Sequence, residues 1–280
     1  MQIDGWKYYN HAAIPTSHPH ELPDLTPIKN KSIWKIRGGI PLLARWITDF
    51  DCGYETNWYY VIKDSPFDLS LIKSNYRYKI NKGIKNFNVC IINPQLYIDE
   101  LYEIFIAAYE SWPQKYRPQI NYSDIERLTQ LLSRDSAMVC YGAFFRETGK
   151  LCGFMQVPTY DNYAELQVQR VIPMYEKYQI NAALVYNLLT YNAEKLNKEN
   201  FYILDGARSI NHETNFQEYL NKYFGFRKAF CKLNITYNPK VKLVISILFY
   251  FRKILKKFDN IRLFHQINSV LFMEEICRNE

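Results

Sequence analysis

Three side chains with complementary chemistry fall within eight residues: Asp205, Arg208 and His212, in the stretch DGARSINH. The stretch follows FYIL, an apolar run that reads as a buried strand. A carboxylate or an imidazole placed there can take a proton from a substrate, and the guanidinium can hold an anionic substrate group. Asp205 and His212 are both candidates for the base. The same residues also fit a structural loop in which Asp205 caps a turn and Arg208 pairs with it.

Other stretches carry chemistry of their own. TDFDCGYETNW sets Asp49, Asp51 and Glu55 between aromatic runs, with Trp46 and Trp58 nearby. Carboxylates beside aromatic walls suit sugar or amine recognition, and the same pattern also describes a charged hairpin tip. Glu165 and Gln167 alternate on one face of AELQVQRVIP. RVIPMYEKYQINAALVYNLL has the outline of a strand, a phosphate-cradling turn and a helix, with Lys177, Gln179 and Asn181 in the turn. Lys73, Arg77, Lys79, Lys82 and Lys85 decorate one helical segment, as a solvated face or an anion-facing stripe. His11, His18, His20 and Glu21 lie in a proline-spaced segment, but HPHE lacks the i, i+4 spacing of a helical zinc pair, so no metal is assigned.

The bulk composition narrows the class. At 280 residues the chain holds one large domain or two modest ones, and its 48% hydrophobic content is that of a globular protein. The net charge of +7 points to an anionic partner: a small anion, a phosphorylated carrier, RNA or a membrane surface. Six scattered cysteines form no zinc knuckle or redox pair and read as reduced, hence a cytoplasmic protein. MQIDGWKYYNHAAIP has no apolar core of signal-peptide length, and no run approaches the ~20 apolar residues of a spanning helix. There is no P-loop or Rossmann fingerprint. The 24 tyrosines suit cleft walls, and an AT-rich genome would yield them too.

These residues must be positioned by recognisable elements. Pro15, Pro19, Pro23 and Pro27 mark residues 1 to about 30 as loop. SIWKI, LLARWITDF and TNWYYVI read as strands, and Asp68 to about Lys82 as a helix. NFNVCIIN is a strand. Pro94 opens a helix to about Ser111, and Ser123 and Asp124 cap another from Ile125 to Arg134. MVCYGAFF and LCGFMQVP form a hairpin across RETGK, and AELQVQRVIP is a third strand. INAALVYNLLTYNAEKL is a helix, FYILDG a strand, TNFQEYLNKYF a helix ended by Gly225, and FRKAFCKLNITY the last strand.

This order, from about Asn86 to Tyr237, resembles the GNAT superfamily of acyl-CoA N-acyltransferases. VIPMYEKYQINAALV is similar to its strand, pyrophosphate loop and helix at Val171, Pro173, Tyr175, Ile180, Ala183 and Leu184. NKYFGFRK is similar to its closing signature, with Gly225 and Phe226 in place. In that family the backbone N–H groups at a helix N-terminus hold the coenzyme A pyrophosphate. Here the Arg/Gln position is Glu176 and the two glycine positions are Gln179 and Asn181. Acetyl-CoA or another acyl-CoA is therefore disfavoured, and Val171, Lys177, Gln179 and Asn181 are the residues that would meet any cofactor there. The position of the family's tyrosine acid is Asn221, which cannot fill that role. The resemblance also implies a cleft where the central strands splay, with Glu165 a candidate base.

One GNAT-fold branch works without coenzyme A. SNYRYKINKGIKNFNV resembles the basic segment of the FemAB family (FemX-like aminoacyl transferases), with Gly83 at an alanine position. That likeness implies aminoacyl-tRNA as donor, a cell-wall precursor as acceptor and Arg77 facing an anionic substrate.

The expected fold is α+β: a GNAT-like mixed β-sheet flanked by helices. Residues 1–85 form a β-rich N-terminal extension packed on the core, residues 86–237 the core, and residues 238–280 a helical tail. The expected function is acyl or aminoacyl transfer to an amine, in cell-envelope or polysaccharide synthesis. The rival is a non-catalytic GNAT-fold binding protein that has lost coenzyme A. In the tail, Leu243, Val244, Ile247, Leu248, Phe251, Leu255 and Phe258 make one helical stripe flanked by lysines. Residues 240–258 can lie on the inner face of a membrane or pack on the domain or a second subunit, and packing is the usual fate of such a face.

Overall fold

The computed structural model describes residues 1–114, 117–198, 200–210 and 215–279. The chain opens on a hairpin of β1 (Trp6–Tyr9) and β2 (Ala12–Pro15), turned by Asn10 and His11, both at positive φ. That is the turn whose twist matches antiparallel strands. The loop expected from the prolines is thus corrected: Pro15 ends β2, and Pro27 sits in the first turn of the short helix α1 (Thr26–Lys29), where no N–H is needed. SIWKI is likewise not a strand. Lys31 at φ 63° starts a 3₁₀ turn over Ser32–Lys35, and Ile33 and Ile36 both enter the core. Strands β3 (Leu43–Thr48) and β4 (Trp58–Lys63) form as expected.

The helix α2 (Ser74–Asn86) runs directly into β5 (Phe87–Ile91). Pro94 opens a separate 3₁₀ turn (Pro94–Leu96) rather than the helix, and helix α3 (Ile98–Glu110) buries Leu101, Ile104, Phe105 and Ala108. Helix α4 (Tyr122–Arg134) is capped by Asn121 rather than Ser123, in a reciprocal capping box with Asp124. Strands β6 (Met138–Phe145) and β7 (Leu151–Pro158) form the hairpin, with Gly149 at φ 71° in its turn. AELQVQRVIP is corrected from one strand to two, β8 (Tyr163–Glu165) and β9 (Val168–Val171). Helices α5 (Ile180–Tyr191) and α6 (Ala193–Leu196), strand β10 (Tyr202–Ala207) and helix α7 (Phe216–Phe224) follow. Gly225, at φ 67°, ends α7 before β11 (Arg227–Tyr237), and α8 (Pro239–Tyr250), α9 (Arg252–Leu255) and α10 (Arg262–Asn279) complete the chain.

The chain divides into two compact units. The first comprises Met1–Tyr60, Ala207–Thr214 and Lys228–Glu280. In it β2 pairs in parallel with β3, and β3 pairs antiparallel with β11 from Tyr237↔Leu43 to Lys232↔Thr48. Its core joins Leu43, Ile47, Trp58 and Leu233 to Met273 and Ile276 of α10. Packing of the tail is thus carried by α10. Helix α8 buries only Phe249, and Leu243, Val244, Ile247 and Phe251 of the apolar stripe stay exposed.

The second unit comprises Val61–Gly206 and Asn215–Arg227. It holds the antiparallel sheet β5-β6-β7-β9, beside which β8 pairs in parallel with β10. Every residue of β7 is buried, as a strand covered on both faces must be. Phe154 packs on Phe105 of α3, while the neighbouring Gly153 faces Ile180 and Leu184 of α5. Helix α2 lies against α5 at Gly83, where an added Cβ would fall 2.6 Å from the Gln179 carbonyl oxygen and 3.0 Å from the Ala183 nitrogen. Both are backbone atoms that cannot turn aside. Gly83→Ala should therefore destabilise the protein by about 1–3 kcal/mol in urea unfolding. Gly149→Asn, in open space at a left-handed turn position, should stay within about 0.5 kcal/mol of the parent.

Candidate functional site

The second unit is organised by a change of backbone partner. The Leu166 amide donates to the Leu204 carbonyl at 2.8 Å, within reach of β10, while the Gln167 amide donates to the Gln156 carbonyl at 3.1 Å, on β7. Up to Glu165 the chain belongs beside β10, and from Val168 it belongs beside β7. The strands diverge at that step.

Asp205 and Glu165 lie on paired strands, one residue out of register. Leu204 is directly opposite Glu165 in the parallel ladder, and Asp205 is the next residue of β10. Asp205 is half-buried, and its carboxyl is pushed up from 3.8 to about 7, mainly by burial and further by the negative charge of Glu165. A hydrogen bond from the Gln217 side chain, in the first turn of α7, opposes that rise by favouring the carboxylate. The Glu165 carboxylate accepts from Gln167 Nε2 at 3.0 Å. Burial thus sets the proton affinity of Asp205 well above that of an ordinary carboxylate. Gln217 belongs to no motif and is missed by sequence reasoning. Its only signal is its place at the start of a helix that follows the Asp205 loop.

The other candidates are placed differently. His212 lies outside the described residues. Arg208 is held within the first unit: its Nη1 donates to the Asn57 carbonyl at 2.6 Å, and its guanidinium lies over Tyr59 and Phe272. Asp49 pairs with Lys232 at 2.9 Å. Asp49 and Asp51 both adopt positive φ in the turn, Glu55 is exposed, and Trp58 is 2% exposed in the core. On α2, Arg77 Nη1 donates to the Ser70 carbonyl at 3.1 Å and Lys79 Nζ to the Tyr223 hydroxyl at 2.8 Å, while Lys73 and Lys85 face solvent. Asn221 Nδ2 donates to the Phe226 carbonyl at 2.7 Å, so this side chain fastens the end of α7.

The turn before α5 does not fit a pyrophosphate. Pro173–Tyr178 is a 3₁₀ helix whose Tyr175 and Tyr178 rings pack on Phe145 at 5.1 and 5.0 Å. Tyr175 also bonds the Cys152 thiol, which raises its hydroxyl to about 12. Val171 is buried in β9, and Lys177 is exposed over the Tyr178 ring. Gln179 takes the left-handed conformation at φ 68° that suits glycine. The Asn181 side chain is engaged, its Oδ1 accepting from Gln169 Nε2 at 2.7 Å. The α2 backbone at Gly83 closes on Gln179. Gln179 and Asn181 thus carry side chains where a phosphate-cradling turn has glycines, and Glu176 adds a negative charge to the turn.

No protein-family model matches the chain, and no curated protein matches it in sequence. Solved structures do. L-PGS from Bacillus licheniformis superposes with a TM-score of 0.50 at 13% identity, over 87% of this chain and 82% of that one. The C-terminal domain (DUF2156) of a putative lysylphosphatidylglycerol synthetase from Agrobacterium fabrum gives 0.52 at 10% identity, over 86% and 82%. FemX gives 0.52 at 8% identity, over 80% and 81%. Identities this low speak to architecture. The chain has a GNAT-like α+β fold of the FemX kind, a mixed sheet flanked by helices.

Proposed function

We propose that this protein transfers an acyl or aminoacyl group to an amine acceptor, with Asp205 as the proton acceptor and without coenzyme A. The observation that carries the reading is the Asp205 carboxyl, held near neutral pH where the strands diverge. An ammonium must lose a proton before its nitrogen can attack an ester carbonyl. A carboxylate whose conjugate acid titrates near 7 can take that proton and release it again. The new N–C bond then forms as the ester C–O bond breaks, and the departing hydroxyl takes up a proton. The filled turn before α5 favours a donor other than an acyl-CoA, and the lysines of α2 suit a polyanionic one such as aminoacyl-tRNA. The names of the structural neighbours direct attention to cell-envelope acceptors, among them phosphatidylglycerol. A non-catalytic binding protein is the second reading, favoured by the same filled turn.

The tail supports a place at a membrane surface. Among the described residues no helix is long and apolar enough to cross one. Leu243, Val244, Ile247, Phe251, Ile254 and Phe258 recur at helical spacing and are all exposed, with Lys240, Lys242, Lys253, Lys256 and Lys257 around them. Such a face can bury apolar side chains among acyl chains and set lysines against anionic headgroups.

Charged tRNA carrying labelled amino acids, offered with phosphatidylglycerol or a peptidoglycan precursor, should yield a labelled product. Asp205→Asn should lower kcat at least ~100-fold while keeping the fold. No transfer to any acceptor would favour the binding protein. The rate should rise with pH through about 7 as Asp205 loses its proton. Gln217→Leu removes a bond that favours the carboxylate, so it should move that limb to higher pH. Because the folded-state pKa is raised, the ionised group opposes folding. Asp205→Asn should therefore be the more stable protein at pH 8, by ~2 kcal/mol after allowance for its partial exposure, with the difference gone by pH 4.

Calorimetry should show no micromolar binding of acetyl-CoA to the parent protein. Micromolar binding would restore an acyl-CoA as donor. In sedimentation assays the protein should bind vesicles rich in phosphatidylglycerol and not phosphatidylcholine ones. Ile247→Asp with Ile254→Asp should weaken that binding at least ~10-fold.

A further inference from the structure

The C-terminal tail of the first unit forms a cleft of about 720 Å³, walled by α9, the 3₁₀ turn after it (Lys256–Phe258), α10 and Ser209. Every residue of its lining belongs to the first unit. The volume is that of a small-molecule site and leaves room for far more than a bare phosphate. The two carboxylates on the lining are engaged. Asp259 Oδ1 accepts from Asn268 Nδ2 at 2.8 Å and Oδ2 lies 2.8 Å from His265 Nδ1, and these bonds hold its carboxyl below the ordinary range. Glu275 Oε1 accepts from Arg252 Nε at 3.0 Å. Lys253 and Lys256 differ. Both are exposed, and among the described residues neither ammonium makes a hydrogen bond or an ion pair.

The segment around α9 divides its side chains by chemistry. Arg252, Lys253 and Lys256 line the cleft, whereas the exposed Phe251, Ile254 and Phe258 lie outside its lining. A helix held in a bilayer surface sinks its apolar side chains to the boundary of acyl chains and headgroups, so side chains on its other side stand at headgroup depth. That is the level of a lipid's phosphodiester. The two ammonium groups complement such an anion, and neither has a competing partner within the protein. A bare phosphate would leave most of the cleft unfilled. The hydroxyls of Ser209 and Ser269 and the Asn268 amide on the same lining suit a polyol headgroup. A choline headgroup would instead set a further cation beside the lysines.

We propose that this cleft docks the headgroup of an anionic glycerophospholipid, its phosphodiester on Lys253 and Lys256 and its polyol toward Ser209, Asn268 and Ser269. The proposal rests on the membrane-surface reading of the tail and is separate from the chemistry at Asp205. Calorimetry of the full chain with dihexanoyl phosphatidylglycerol, kept below its micellar concentration, tests it without a charged surface. Binding should be saturable, and at least ~10-fold tighter than that of dihexanoyl phosphatidylcholine. Lys253→Gln with Lys256→Gln should weaken it at least ~10-fold. Lys240→Gln with Lys257→Gln removes the same charge from outside the cleft and should leave it within ~2-fold. Equal losses in the two pairs would mean diffuse attraction and overturn the proposal. So would inorganic phosphate binding as tightly as the lipid, which would assign the cleft to a soluble phosphate. Leu243→Ser with Ile247→Ser, on α8, should weaken vesicle binding and spare the short-chain lipid. Short-chain binding without vesicle binding would sustain the cleft and overturn the membrane reading. Vesicle binding without short-chain binding would do the reverse.

Discussion

Two consecutive amides decide the architecture of the second unit. Leu166 donates to β10's Leu204 and Gln167 to β7's Gln156, so one extended segment serves two different partners. Backbone donors in a buried strand must be satisfied, and a segment bonded on both sides to diverging strands can do so only by changing partner at one point. The side chains on either side of that point are then fixed. Glu165 stays with β10, while Gln169 goes with β9 and meets Asn181.

The closeness of α2 to α5 is the second constraint. Gly83 brings two helices within reach of backbone contact, which only a residue without a Cβ allows. The first turn of α5 therefore borders a helix instead of open solvent. A glycine-rich turn would leave its amides accessible to an anion, but here Gln179 and Asn181 carry side chains and Asn181 is bonded within the unit. Fold and cofactor preference are separable in this way. The strand–turn–helix shape survives on packing, through Tyr175 and Tyr178 against Phe145, whatever the turn binds.

Much of the second unit was legible in the sequence because local and tertiary preferences agree there. Gly149 and Gly225 stand at positive φ where turn and helix end require them, and the buried face of α3 follows the apolar periodicity. The errors lie where local pattern is silent about partners. AELQVQRVIP alternates without interruption, and nothing in that alternation records that its two halves pair with different strands. SIWKI has strand composition, but the left-handed Lys31 before it turns the chain. The early hairpin was hidden because Asn10-His11 lacks the usual glycine. At the site, Asp205 and Glu165 were identified as separate candidates, and their adjacency came only with the β8–β10 register. Gln217 could not be read at all, since a neutral side chain that tunes a carboxyl leaves no motif.

The distribution of charge carries the argument furthest. Many of the cations behind the net charge of +7 sit on solvated helix faces, where they cost the fold little and can serve any polyanion. Asp205 is different. It is drawn largely out of water, and burial raises its proton affinity while the Gln217 side chain works against that rise. Leucine at that position would pack without the penalty. Asp205 relieves the penalty by taking up a proton, an outlet that a guanidinium does not have.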